Sequence, residues 1–215
     1  IGNHLGTVDI GLEMTTSFGI LQFYRQNIYE DGSLFFLTNI KDGLNGITLR
    51  LPDTKWISRI NFEYINTSSQ GGELFVTGKD APGELRGKDN YFNHAQYRDG
   101  WTYKGRIIGT PYIQTLRYTW DNPEYQIDQN RVTAVQLALM GNLPYDILFR
   151  LKGSHATYLG TYQFPEDKKT LTSFLVELQR PLDPRSSVQL RLAWDTGTLA
   201  PQSAGVQATY IRRWK

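Results

Sequence analysis

No cysteine occurs among the 215 residues, which removes disulfides, thiolate metal sites and cysteine nucleophiles together. Histidine is almost as scarce. His4, His94 and His155 are the only three, and they are too far apart in the chain for metal-ligand spacing, so no metal site and no cofactor is expected. Charge of one sign is also missing: the formal net charge is only +2, and Lys and Arg are scattered without a dense basic helix, which gives no ground for a nucleic-acid partner. No apolar run approaches the roughly 20 residues of a spanning helix. No basic-then-apolar leader opens the chain, which starts at Ile1. There is no G-x-S-x-G elbow, no H-E-x-x-H and no P-loop, and Asp99 and Asp121 imitate a glycosidase pair only by composition. An enzyme is therefore not expected.

What the chain has is aromatic residues, 13%, and an alternation of apolar and polar side chains that returns almost everywhere. Ser187 to Trp194 reads SVQLRLAW: Val188, Leu190, Leu192 and Trp194 fall on one side of an extended strand, Gln189, Arg191 and Ala193 on the other. The same period of 2 runs through Val8 to Met14, Leu21 and Phe23, Ile47 to Leu51, Ile60 to Tyr64, Val135 to Leu139, Tyr145 to Leu151, Phe174 to Leu178 and Val206 to Tyr210. About nine strands result, many of them about 9–11 residues long, the length that crosses a bilayer when tilted. A water-soluble β-sandwich or jelly roll is the other environment that produces such alternation.

The connections favour the membrane. Tight turns at 16–19, 52–55, 141–144 and 181–186 alternate with long loops at 29–45, 67–130, 153–169 and 196–204, the pattern of an outer-membrane barrel. Trp56, Tyr145, Trp194, Tyr210 and Trp214 near strand ends suit an interfacial girdle. The expectation is an all-β, transmembrane antiparallel β-barrel of the outer-membrane type, one domain over 1–215 with a long loop insertion at about 67–130. Lipid meets Leu137, Leu139, Ile147, Phe149, Val176, Leu190 and Leu192. The lumen is lined by Arg50, Arg59, Glu63, Arg150, Lys152, Glu177 and Arg191. Those charges either set the ion preference of a pore or form a neutralised cross-strand ladder. An odd strand count, with the first strand entering from the loop side, leads to the expectation that at least one strand precedes Ile1 and that the chain is the C-terminal part of a larger barrel.

Asn3 to Gly6 with its following strand, YRQNIYEDGSLFFLTNIKDGLNGI at 24–47 and YFNHAQYRDGWTYKGRIIGTPYI at 91–113 resemble the C-terminal half of the capsule assembly Wzi family as found in Bacteroidota. The resemblance covers most of the first 115 residues. It implies a many-stranded barrel in the bacterial outer membrane, with a small periplasmic helical part near its start, that helps attach capsular polysaccharide. The partners it implies are outer-membrane lipid, capsular or other surface polysaccharide, and other outer-membrane proteins. An outer-membrane porin or uptake channel, or the barrel subunit of a larger complex, is the alternative.

Two loops carry candidate chemistry. Tyr97, Arg98, Trp101, Tyr103, Lys104 and Arg106 combine aromatic faces that stack on sugar rings with cations that hold carboxylates. The same aromatics also suit the private core of a loop that packs on itself and plugs the lumen. Leu34, Phe35, Phe36 and Leu37 form an apolar cluster expected to tuck into the barrel mouth, contact with a partner protein or lipid being the alternative.

Overall fold

A computed structural model describes residues 5–30, 36–52, 56–74, 87–94, 96, 97, 99–115 and 127–214. The alternating segments form the strands β1 (Leu5–Thr16), β2 (Gly19–Glu30), β3 (Gly43–Arg50), β4 (Ile57–Asn66), β7 (Val132–Leu143), β8 (Ile147–Gly160), β9 (Pro165–Asp183), β10 (Ser186–Gly197) and β11 (Ser203–Arg212). Two short strands, β5 (Thr102–Tyr103) and β6 (Arg106–Ile107), make a separate hairpin inside the long insertion. The nine long strands build one antiparallel sheet in chain order, each paired with its sequence neighbours. Strands β1 and β11 are its edges, and among the described residues no pairing between them closes the sheet.

Register turns the alternation of each strand into two faces of the whole sheet, because directly opposed residues point the same way. One row of partners runs Met14, Leu21, Leu49, Ile60, Leu139, Leu151, Val176, Leu192, Val206 across all nine strands without a polar side chain. On the reverse face a row runs Thr15, Ile20, Arg50, Arg59, Met140, Arg150, Glu177, Arg191, Gln207. The apolar face stays open: Ile10 is 69% and Val206 76% exposed, and Leu12, Phe23, Phe62, Leu137, Phe174 and Leu190 are exposed with them.

The turns after β1, β3, β7 and β9 fall at one end of the sheet, as the antiparallel order requires. Their positions shift slightly from expectation. The β7–β8 turn is Pro144, Tyr145 and Asp146, with Tyr145 and Asp146 at positive φ, and the β9–β10 turn is Pro184 and Arg185. Two of the four expected long loops are short. Because Ala156 pairs with Leu171 and Tyr158 with Lys169, β8 and β9 extend toward each other and leave only 161–164 between them. Likewise β10 and β11 are joined by 198–202. The polar residues of 153–169 read as loop because hydrogen-bonded pairing, not hydrophobic alternation, holds them in the sheet.

At the loop end the reverse face becomes apolar, and it is there that the buried core sits. Val132, Ala134, Ala156 and Tyr158 from β7 and β8 are covered by Ile113 and Ile127 of the insertion and by Leu199, with Phe92, Ile107 and Tyr112 packed around them. The described parts of 67–131 that carry Phe92, Tyr112, Ile113 and Ile127 thus lie over the charged side of the sheet.

Close approach fixes one glycine. A Cβ on Gly46 would lie 2.0 Å from Cζ of Tyr24, whose ring lies across the glycine. Gly46→Val should displace that ring and lower stability by about 1–3 kcal/mol, read as a shift in the urea midpoint in detergent; Gly205→Ala, with open space around it, should leave the midpoint nearly unchanged.

Candidate functional site

The insertion is held down by one carboxylate. Asp42, just before β3, is fully buried and accepts hydrogen bonds from the backbone N–H of Gln70 (2.6 Å) and Ser69 (3.0 Å), the Asn66 amide (3.0 Å) and the Tyr91 hydroxyl (2.9 Å). Burial outweighs these donors and nearby Arg131, so its carboxyl titrates above the usual carboxylate range. Burial and the Asp42 charge push the Tyr91 hydroxyl far up, keeping it a donor. Around this anchor the Asn130 amide donates to Asn90 (2.6 Å) and to the Tyr91 carbonyl (3.0 Å), while Asn93 and Ile127 exchange two bonds. Arg131 lies 3.9 Å from the Tyr162 ring centre. None of these roles was signalled in the sequence, where Asp42 stands in an ordinary Lys-Asp-Gly turn.

On this base stands the β5–β6 hairpin. Its two-residue turn is Lys104 and Gly105, both at positive φ, and Thr115 Oγ1 donates to the Gly105 carbonyl at 2.7 Å. Trp101 meets Phe92 edge-on, ring centres 6.0 Å apart, which ties the hairpin to the buried cluster. Opposed Tyr103 and Arg106 share one hairpin face, and the Lys104 ammonium lies 5.5 Å from the Tyr103 ring centre. Tyr97 is 74% and Tyr103 67% exposed, and Trp101, Lys104 and Arg106 are exposed as well. Five of the six carbohydrate candidates are therefore solvent-facing; Arg98 lies outside the described residues. The loop also has a core of its own, since Tyr91, Phe92, Ile107 and Ile113 face inward.

All seven candidate lumen residues share the reverse face by register. Glu177, its side chain only 8% exposed, is gripped by Arg150 Nη1 at 3.1 Å and Arg191 Nε at 2.6 Å. Arg50 reaches Glu13 at 3.7 Å. Glu63 accepts from the Tyr24 hydroxyl (2.5 Å) and the Gln136 amide (3.0 Å), and Asn61 joins Tyr24 to Thr48. The ladder is thus partly neutralised and partly cationic.

The 36–42 loop departs from expectation. Leu34 and Phe35 lie outside the described residues. Phe36 and Leu37 are exposed, and Leu37 and Ile40 line a cleft with Val8, Ile10 and Arg25 of the apolar face. The loop therefore leans outward and does not tuck over the charged side. Arg25, unnoticed in the sequence, makes this possible: standing on the apolar face, it donates to Asn45 (2.8 Å), Asn27 (2.7 Å) and the carbonyls of Ile40 and Asp42.

Asp121 lies outside the described residues, so a pairing with Asp99 has no geometry to support it. Among the described residues no His, Asp and Glu group is placed to hold a metal ion, and no helix is long and apolar enough to cross a membrane. No family model, curated protein or solved structure matches the chain.

Because folded Asp42 holds its proton more tightly than the unfolded chain does, with an ordinary value of 3.8, its contribution grows as pH falls toward that value and shrinks as pH rises through the raised one. Asp42→Asn should cost about 1–3 kcal/mol at neutral pH. The stability gap between wild type and this variant should widen as pH falls from neutrality toward 3.8, measured by denaturant unfolding; a gap that narrows would contradict the raised carboxyl.

Proposed function

We propose that this chain forms part of the wall of an outer-membrane β-barrel that helps hold capsular polysaccharide at the bacterial surface. The observation that carries the carbohydrate role is the exposed hairpin at the loop end. It presents Tyr97, Trp101 and Tyr103 beside Lys104 and Arg106, so that ring faces meet the apolar faces of sugars while the cations bind their carboxylates. Anchoring by Asp42 and Phe92 keeps these side chains in place before ligand arrives, which lowers the ordering cost of binding.

The membrane reading is supported by the unbroken apolar row and by strand length. Twelve residues, as in β10, extend ~40 Å, and a tilt of ~40° leaves ample height for an apolar band of ~25 Å. Trp56, Tyr145, Tyr210 and Trp214 lie toward the tight-turn end and Tyr64, Phe174 and Trp194 toward the other, as two interfacial girdles would. In this reading the unpaired edges of β1 and β11 are completed by further strands, since an open edge has no acceptor in lipid. A channel is the second reading, favoured by the cationic surplus of the reverse face.

Leu190→Arg should impair folding into bilayers by about 2–4 kcal/mol, and Arg191→Gln by much less; reversed effects would assign lipid to the wrong face. In encapsulated cells with equal amounts of protein in the membrane, Trp101→Ala and Arg106→Ala should raise shed over surface-bound capsule several-fold. Unchanged retention together with altered solute flux would support the channel instead.

A further inference from the structure

Strands β3 and β4 set two arginines face to face. Arg50 and Arg59 are direct cross-strand partners, an arrangement that repels unless an anion lies between them. Next across the sheet stands Arg150, beyond Met140, and one row toward the loop end stands Lys152. The four cations line one cleft of about 390 Å³, within the ~300–1,000 Å³ usual for small-molecule sites.

The carboxylates of this face do not balance them. Glu177 is shared between Arg150 and Arg191, Glu63 is occupied by Tyr24 and Gln136, and Glu13 reaches Arg50 alone, at 3.7 Å. Among the described residues, Arg59 and Lys152 are paired with no carboxylate. An independent sign comes from Arg50, whose Nε is buried and has no hydrogen-bond acceptor. The cleft therefore carries surplus positive charge. Its remaining lining joins Gln22, Thr48, Asn61 and Gln136, which exchange hydrogen bonds with hydroxyls, to Glu63, Ala138, Leu139 and Met140.

We propose that this cleft is a binding site for a carboxylate-bearing saccharide, its carboxylates held by Arg50, Arg59 and Lys152 and its hydroxyls by the neighbouring amides. Arginine forks match carboxylates in two-point geometry, whereas the amides give a bare anion nothing further to hold. The site is distinct from the exposed hairpin at the loop end. It depends on the reverse face being wet, not on the hairpin's role in capsule retention.

The test uses the full chain in detergent, with tetragalacturonate, maltotetraose and inorganic phosphate titrated by calorimetry. Tetragalacturonate should bind, weakening as salt rises, and maltotetraose should not. Arg59→Gln combined with Lys152→Gln should weaken tetragalacturonate at least tenfold, while Arg59→Lys with Lys152→Arg, which keeps both charges, should stay within a few-fold of wild type. Trp101→Ala should leave this binding intact, so a failed capsule assay and a failed cleft are told apart. Binding that survives loss of both charges overturns the proposal, as does maltotetraose binding equal to tetragalacturonate. Phosphate binding as tightly as tetragalacturonate overturns the saccharide class. Should the double Gln variant lose its folded circular dichroism signal, Lys152→Gln alone, on an exposed side chain, decides by the same comparison.

Discussion

The two faces of this chain depend on one constraint, the antiparallel register of nine strands, which runs unshifted through the middle of the sheet. Side chains alternate with period 2, so a slip of one residue anywhere would carry leucines to the charged face and arginines to the apolar one. The row from Met14 to Val206 holds because eight successive ladders keep the same parity. Three irregularities occur, at Ser186/Ser187, Ile57/Arg59 and Tyr158/Gly160, and all sit at strand ends, so the parity of the central rows is untouched.

With two faces fixed, the two large loops divide between them. Segment 67–131 carries Tyr91, Ile113 and Ile127, which bury themselves against Val132, Ala134 and Tyr158 on the loop-end part of the charged face. Segment 36–42 leans the other way, toward the apolar face, held by the guanidinium of Arg25. Asp42 joins them, because its carboxylate accepts from the 66–70 turn and from Tyr91 together. A buried carboxylate is costly without donors, and here four donors from separated parts of the chain converge on it, so that the anchor forms only when both loops are in place.

The same division organises the candidate chemistry. Aromatics and cations at the hairpin tip face solvent because the other side of that hairpin is spent on packing. In the sheet, pairing of Glu177 with two arginines accounts for part of the charge and leaves Arg59 and Lys152 over. The two proposed sites, one at the loop tip and one along the sheet, are reached by different substitutions.

The sequence by itself determined the strands, their two faces and the end at which the tight turns lie. These follow from neighbours two residues apart and from Gly, Pro and Asp at turns, so Leu190 against Arg191 was legible without coordinates. It also supplied Tyr97, Trp101, Tyr103, Lys104 and Arg106, which face solvent, as composition. Only the tertiary structure decided what pairs with what over distance. The polar stretch 153–169 joined the sheet because Ala156 found Leu171 and Tyr158 found Lys169. Asp42 became an anchor because 28 residues later the Gln70 N–H turned toward it, and among the described residues Arg59 was left without a carboxylate because its cross-strand partners are Arg50 and Met140. Alternation is a local property of the chain. Partnership depends on the register of strands distant in sequence, and no local pattern encodes it.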